Sequence, residues 1–110
     1  MVAKKRRGRR AFPSFGAHDP LLDARVRATL DLHGDTAAEA ERRVRDFLLT
    51  HARVSRGEVV HVITGRGRGS RGGPVLPGVV RRVLASDAVE RHVSGWDRDL
   101  DEAGFLIRMK

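Results

Sequence analysis

Two short stretches of the chain carry the residue types best suited to chemistry, and the first contains Asp31 and His33. These side chains are two positions apart, so on a β-strand they project from the same face at a separation of roughly 6 to 7 Å. A carboxylate at that distance could orient the imidazole, raise its basicity, or share a metal ion or a water molecule with it. The alternative is structural, with Asp31 capping a nearby turn and His33 hydrogen-bonding into the sheet.

The second stretch follows Thr64 and is called here the glycine–arginine loop, residues Gly65 to Gly73, with five glycines and three arginines. Unshielded backbone N–H groups of glycines can bind an anion, and Arg66, Arg68 and Arg71 can grip phosphates. The Lys-Ser/Thr pair that a P-loop requires is missing, so we expect no nucleotide cofactor. The alternative is a disordered basic loop that binds nothing in particular.

The other histidines are weaker candidates for chemistry. His61 lies between valines in an apolar stretch, and His51 lies on the apolar side of a predicted helix. Both are more typical of packed core residues with a single hydrogen bond than of metal ligands. The chain has no cysteine, which excludes disulfides and cysteine-based zinc sites and is compatible with a reducing cytosol.

A strand, a helix and a second strand are predicted to position these residues. Residues 29–33 alternate between polar and apolar side chains, as a half-buried strand does. Thr36-x-x-Glu39 is a capping box, and it opens a helix that we expect to end before Ser55. Residues 58–64 are β-branched and apolar on both faces, which indicates a strand buried inside a sheet.

The remainder predicts a second helix entered through residues 74–77, then strands at residues 89–94 and 104–109. Residues 96–103 are acidic and are expected to form the hairpin loop between these strands. The order β-α-β-α-β-β corresponds to an α/β two-layer sandwich, with both helices on one side of a mixed four-stranded sheet. Because parallel strands end at the same edge, the two stretches should meet there.

The charge is concentrated near the start of the sequence. Residues 1–18 carry six Lys and Arg residues and no Asp or Glu, out of a net charge of +8. We expect a basic disordered tail and linker there, which attracts polyanions or merely improves solubility, and one domain over residues 19–110. No apolar run reaches the roughly 20 residues needed to cross a bilayer, so we expect a soluble, cytoplasmic protein without a membrane partner.

Residues 28–110 resemble the small MutS-related (Smr) domain. The first motif of that family stands intact as Leu30-Asp31-Leu32-His33-Gly34. The second motif, usually His-Gly-x-Gly, is represented by Thr64-Gly65-Arg66-Gly67. Ser70-Arg71-Gly72-Gly73 and residues 75–80 look like the branch with threonine in place of histidine, which includes domains regarded as nicking endonucleases.

The resemblance implies a fold similar to the C-terminal domain of bacterial translation initiation factor three. It also implies endonuclease activity on DNA or RNA, helped by Mg²⁺ or Mn²⁺, and in some members cleavage of messenger RNA on stalled ribosomes. Asp31, a possible metal ligand, and His33 would be catalytic, with Gly65, Arg66 and Gly67 at the phosphate. The alternative is a non-catalytic module that binds DNA, RNA or the ribosome. Thr64 cannot replace the acid–base function of the usual histidine.

Overall fold

Four strands and three helices make up the part of the chain that the computed structural model describes, residues 25–65, 75–99 and 103–110. In chain order they are β1 (Val26–Asp31), α1 (Ala37–Val54), β2 (Val59–Ile63), α2 (Leu76–Ala85), α3 (Asp87–Glu90), β3 (Val93–Arg98) and β4 (Gly104–Met109). None of the helices in these ranges is long and apolar enough to span a membrane.

The strands form one mixed sheet in the order β1-β2-β4-β3. β1 runs parallel to β2, with Asp31 opposite Ile63, whereas β4 is antiparallel to both β2 and β3. β2 therefore lies inside the sheet, and Val59, Val60 and Val62 are all buried, as the apolar pattern of this strand predicts. The predicted mixed four-stranded sheet is confirmed.

The helices cover one face of this sheet, and the hydrophobic core lies between the two layers. Alternate residues of each strand point toward the helices, because successive side chains of a strand project to opposite faces. The sheet contributes Val60, Val62, Phe105, Ile107 and Met109, the long helix contributes Ala40, Val44 and Leu48, and α2 contributes Val79, Val80, Val83 and Leu84. The predicted two-layer α/β sandwich is therefore confirmed.

The predicted capping box starts α1. The Thr36 hydroxyl accepts a hydrogen bond from the Glu39 N–H at 3.2 Å, and the Thr36 N–H donates to the Glu39 carboxylate at 2.9 Å. These bonds satisfy two of the polar groups that a helix N-terminus leaves without partners. The helix ends before Ser55, as expected.

The third strand differs from the prediction. Residues 87–90 form the short helix α3, and β3 occupies Val93–Arg98, so the strand predicted at residues 89–94 exists but its predicted bounds are wrong. The prediction of a hairpin loop over residues 96–103 is also wrong at its start, because Trp96 packs edge-on against Phe105 with 5.3 Å between ring centroids. The charged residues of this stretch indicate a loop, but Trp96 and Arg98, on either side of Asp97, both lie against the Phe105 ring, as alternate residues of a strand do. The predicted tail at residues 1–18 and residues 66–74 lie outside the described ranges.

Candidate functional site

The two stretches singled out in the sequence meet at the carboxyl edge of β1 and β2. The Leu32 N–H donates to the Ile63 carbonyl at 2.8 Å, which extends the parallel pairing one residue beyond β1. The Cδ2 atom of the His33 ring lies 3.8 Å from the position that a Cβ atom would occupy on Gly65. The ends of β1 and β2 therefore meet as predicted, with Gly65 beside His33.

His33 projects from a closed turn between β1 and α1. The Leu32 carbonyl accepts a hydrogen bond from the Asp35 N–H at 2.9 Å, and Gly34 has a φ of +90°. A positive φ at the third position is typical of a type II turn and favours glycine there. Leu32 is fully buried and anchors the turn in the core, whereas His33 is exposed at its tip.

Asp31 supports this turn through its side chain. Its Oδ1 atom accepts a hydrogen bond from the His33 backbone N–H at 2.9 Å. The expectation that Asp31 and His33 share a strand face is wrong, because β1 ends at Asp31 and the chain turns there. Within the described ranges the two side chains are not hydrogen-bonded to each other. Asp31 thus caps the turn, which is the structural alternative that the sequence left open. Its carboxylate orients the backbone of His33 and not the His33 ring.

Arg43 fixes the same turn to α1. Its Nη1 atom forms an ion pair with Asp35 at 2.8 Å and donates to the Asp31 carbonyl at 3.4 Å. The Asp35 side chain is largely covered, with 17% of its surface exposed, so this ion pair is better shielded from solvent than an ordinary surface pair. The backbone that carries His33 is consequently held from both the sheet and the helix.

A single carbonyl oxygen fixes the other side of the site. The Ala103 oxygen accepts hydrogen bonds from the Thr64 N–H at 2.8 Å, the Gly65 N–H at 2.9 Å and the Thr64 hydroxyl at 3.1 Å. Thr64 is 5% exposed, so its hydroxyl serves this anchor and not the surface. The Gly65 N–H already has a partner, and the distinctive property of Gly65 is its φ of +86°.

Asp99 holds Ala103 in place, a role that the sequence pattern does not indicate. Its Oδ1 atom accepts a hydrogen bond from the Ala103 N–H at 2.9 Å, and its Oδ2 atom accepts one from His61 Nε2 at 2.9 Å. Burial raises the pKa of Asp99, but the hydrogen bonds from His61 and Ala103 outweigh this effect, so the pKa lies below its usual value. Among the described residues His61 has the single hydrogen bond that was expected, but it is half-buried and is not part of the hydrophobic core.

The remaining histidine candidate, His51, is part of the packing. Its Nδ1 atom lies 2.6 Å from the Ser55 hydroxyl, and its ring lies 4.6 Å from that of Phe47 between centroids. Burial, together with the charge of Arg27, lowers the pKa of His51. Among the described residues there is no cluster of three or more His, Cys, Asp or Glu side chains that could hold a metal ion.

The predicted phosphate-binding residues divide between the described and undescribed parts of the chain. Gly65 is described and lies beside His33, whereas Arg66, Gly67, Arg68 and Arg71 lie outside the described ranges. The structure therefore brings together Asp31, His33 and Gly65 at one edge of the sheet.

Comparison with protein families gives one finding that agrees with this arrangement. The family model described as Smr domain matches residues 30–105, which include both loops of the site. The search of curated proteins finds no match.

Removing the Asp99 carboxylate tests the anchor. In Asp99→Ala the Ala103 N–H and His61 lose their partner, so we expect the free energy of unfolding to fall by about 1–3 kcal/mol. Hydrogen exchange at the Thr64 and Gly65 amides should accelerate more than exchange in α1, as measured by NMR. Asp46→Ala, at an exposed position of α1, is the matched control.

The loss of stability in Asp99→Ala should depend on pH in a direction that the pKa of Asp99 determines. Because the pKa of Asp99 is lowered in the folded protein, its ionised form stabilises the fold above the ordinary aspartate pKa of about 4. The stability difference from Asp99→Ala should therefore be largest near neutral pH and shrink as the pH falls through the lowered pKa. Denaturant unfolding between acid and neutral pH measures this. A difference that stays constant over this range contradicts the assignment.

Comparing Gly65→Ala with Gly57→Ala distinguishes the contact between Gly65 and His33 from the general cost of placing alanine at a positive φ. Gly65 and Gly57 both have a positive φ, +86° and +78°, so alanine at either position should cost about 1–2 kcal/mol. Only Gly65→Ala places a methyl group beside the His33 ring. We expect similar losses of thermal stability in both variants, but a shifted His33 ring resonance in Gly65→Ala alone. An unchanged His33 resonance would contradict the contact.

Proposed function

The chain belongs to the Smr domain family, and we propose that it is an endonuclease that hydrolyses phosphodiester bonds in DNA or RNA. Domains of this family bind nucleic acids or are associated with nucleases. The observation that carries the proposal is the position of the His33 ring beside Gly65. An exposed imidazole thus lies where a loop rich in glycine and arginine begins.

In this proposal His33 transfers protons. Imidazole is the side chain best able to exchange a proton near neutral pH, and phosphodiester hydrolysis requires one proton to leave the attacking water and another to reach the leaving oxygen. The closed turn supports this role, because the hydrogen bond to Asp31 and the buried Leu32 fix the backbone of His33 while its ring stays accessible. Thr64 receives no proton-transfer role, since its hydroxyl donates to the Ala103 carbonyl.

The phosphate is assigned to the glycine–arginine loop. Guanidinium groups bind phosphate oxygens through pairs of parallel N–H donors, and Arg66, Arg68 and Arg71 supply three such groups after the anchored Gly65. Gly67, which has no side chain, would let the backbone approach the phosphate closely. These contacts would hold the scissile group near His33 without selecting a base sequence.

We propose that Asp31 would contribute a carboxylate oxygen to a bound Mg²⁺ or Mn²⁺ ion. One Asp31 oxygen caps the turn, and the neighbouring carboxylate of Asp35 is paired with Arg43, so the described residues offer no closed protein cage. Mg²⁺ often binds through one or two carboxylates together with waters and substrate phosphates, and in this proposal Asp31 would be such a carboxylate. A bound ion of this class would neutralise phosphate charge and lower the pKa of a coordinated water.

The alternative function is a binding module that recruits DNA, RNA or the ribosome without cleaving it. Two observations favour it, namely the threonine in place of the family's second histidine and the engagement of Asp31 with the backbone rather than with the His33 ring. Incubating the protein with supercoiled DNA and with structured RNA, with and without Mg²⁺ or Mn²⁺, distinguishes the two functions. Cleavage products on a gel support the enzyme, and shifted but intact nucleic acid supports the binder.

His33→Ala should abolish most of the cleavage and little of the binding. General acid–base catalysis contributes roughly 10² to 10⁴ in rate, so kcat should fall by about that factor while the dissociation constant for the nucleic acid stays nearly unchanged. Gel-based cleavage rates and fluorescence anisotropy measure the two quantities. His92→Ala is the matched control, because His92 lies in the turn before β3, away from the site. Cleavage by His33→Ala at the wild-type rate would refute the catalytic role.

The double variant Arg66→Ala plus Arg68→Ala should show the opposite pattern. Because the arginines neutralise phosphates, we expect weaker binding to all sequences and a shallower dependence of affinity on salt, by about 0.7–0.9 in slope per lost phosphate contact. Anisotropy titrations at several salt concentrations measure the slope. The control is Arg53→Ala plus Arg56→Ala, the same charge change at exposed positions near the end of α1. Equal slopes in the two double variants would contradict phosphate binding by the loop.

A further inference from the structure

The Arg43 side chain, in the second turn of α1, holds the turn that carries His33 through one of its three nitrogen atoms. Nη1 forms the ion pair with Asp35 at 2.8 Å and donates to the Asp31 carbonyl at 3.4 Å. Within the described part of the chain, Nε and Nη2 make no hydrogen bond. A guanidinium has five N–H donors, so three remain, and 41% of the side chain is exposed.

The remaining donors have the geometry that a phosphate group requires. The Nε–H and one Nη2–H are parallel and lie in the guanidinium plane, so together they match two oxygen atoms of one phosphate. The two bonds made by Nη1 fix this plane against the turn, which reduces the entropy that is lost when a ligand binds. Arg43 thus presents an oriented pair of donors, called here the Arg43 fork.

The Arg43 fork lies on the side of His33 that faces away from the glycine–arginine loop. β1 is an edge strand, and the N–H of Leu32, directly after it, points toward β2 and bonds to a carbonyl there. Neighbouring residues of a strand direct their backbone groups to opposite sides, so the Asp31 carbonyl points to the free edge of β1, where Arg43 meets it. Gly65 lies on the β2 side. His33 is therefore between Gly65 and Arg43.

Asp35 offsets the charge of Arg43 without using the fork. Its carboxylate bonds to Nη1 and is 17% exposed, so Arg43 is not an isolated cation. Binding through the fork depends on the alignment of its N–H donors, because charge-assisted hydrogen bonds are strong when their geometry is good. The ion pair positions these donors, and the ligand that fits them is an anion with two oxygen atoms side by side.

We propose that Arg43 binds a phosphodiester group of the nucleic-acid strand through Nε and Nη2, on the far side of His33 from the glycine–arginine loop. This inference rests on the proposed function and assigns the path of the strand across the site. One strand spacing of about 4.8 Å and one hydrogen bond of about 3 Å separate β2 from the fork, about 8 Å in all. That distance is about two nucleotide steps of about 3.4 Å each.

Arg43→Lys removes the fork and keeps the charge. Lysine can still pair with Asp35, but its donors share one nitrogen atom and form no planar fork. Arg42→Lys is the matched control, because Arg42 is the next residue of α1, is exposed, and makes no hydrogen bond or ion pair within the described ranges. Since Arg43 also holds the turn, the melting temperature and the His33 ring resonance are measured in both free variants.

The experiment measures binding of fluorescein-labelled 12-nucleotide single strands of DNA and of RNA with the same sequence, in EDTA, with gels to check that the strands stay intact. We expect Arg43→Lys to weaken binding of both strands about three- to tenfold, because a contact of two charge-assisted hydrogen bonds is lost. Arg42→Lys should stay within about twofold of wild type. Equal affinities of the two variants would overturn the proposal, and so would a loss confined to DNA or to RNA.

A second measurement observes the donors in the wild-type protein. The NMR resonance of the Arg43 Nε–H is assigned by its absence from the spectrum of Arg43→Lys, and that of Arg42 by its absence from Arg42→Lys. Adding the single strand should shift the Arg43 resonance, since a new acceptor changes its surroundings, and leave the Arg42 resonance in place. An Arg43 resonance that is unchanged at saturation would refute the contact even if Arg43→Lys proves unstable.

The outcomes also separate this contact from the proposed function. If the wild-type protein binds neither strand, the nucleic-acid function itself fails, and the contact at Arg43 fails with it. If the wild type binds and the Arg43 and Arg42 variants behave alike, only the contact is refuted. If Arg43→Lys shifts the His33 resonance of the free protein and lowers kcat without weakening binding, Arg43 acts only by holding the turn, which also refutes the contact.

Discussion

The anchoring of Thr64 and Gly65 to the Ala103 carbonyl is the constraint on which the candidate site depends. One oxygen accepts hydrogen bonds from two backbone N–H groups and one hydroxyl, and the Asp99 carboxylate holds the same residue from its N–H side. The adjacent Gly104 has no room for a side chain, because a Cβ atom there would overlap the Val62 carbonyl oxygen. The end of β2 is therefore fixed against β4 at the residue where the glycine–arginine loop begins.

The turn that carries His33 and the start of the glycine–arginine loop are held by partners at very different separations along the sequence. The turn that carries His33 depends mostly on partners within a few residues. Its distant partners are Arg43, which is 12 residues from Asp31, and the Ile63 carbonyl, which accepts from the Leu32 N–H. The start of the glycine–arginine loop depends instead on Ala103, which is 39 residues from Thr64. The turn can form early and locally, whereas the loop acquires its anchor only when β4 has paired with β2. Any loss of sheet pairing should therefore disturb Gly65 before it disturbs His33.

This difference in range also explains what the sequence could predict. Thr36 and Glu39 form a local capping box with a recognisable spacing, and the apolar residues of β2 indicate a central strand whatever the rest of the chain does. Asp99 could not be identified, because its carboxylate acts on His61, which is 38 residues away and whose position depends on the strand order. Even the local prediction for Asp31 failed in part, since the strand pattern does not show where a strand ends.

The buried hydroxyl of Thr64 changes how the departure from the usual family motif is understood. At this buried position an imidazole would need more space than the hydroxyl occupies, and the hydroxyl's own bond to the Ala103 carbonyl would be lost, although the backbone N–H bonds of residues 64 and 65 to that oxygen would remain. The threonine thus strengthens the anchor at a position where the family pattern has a titratable group. Under the proposed function, proton transfer would rest on the exposed His33, and the cationic groups would be those of Arg66, Arg68 and Arg71. In such a site most of the stabilisation of a phosphodiester transition state would come from oriented positive charge, which is effective only if the backbone holds it in place before the substrate arrives.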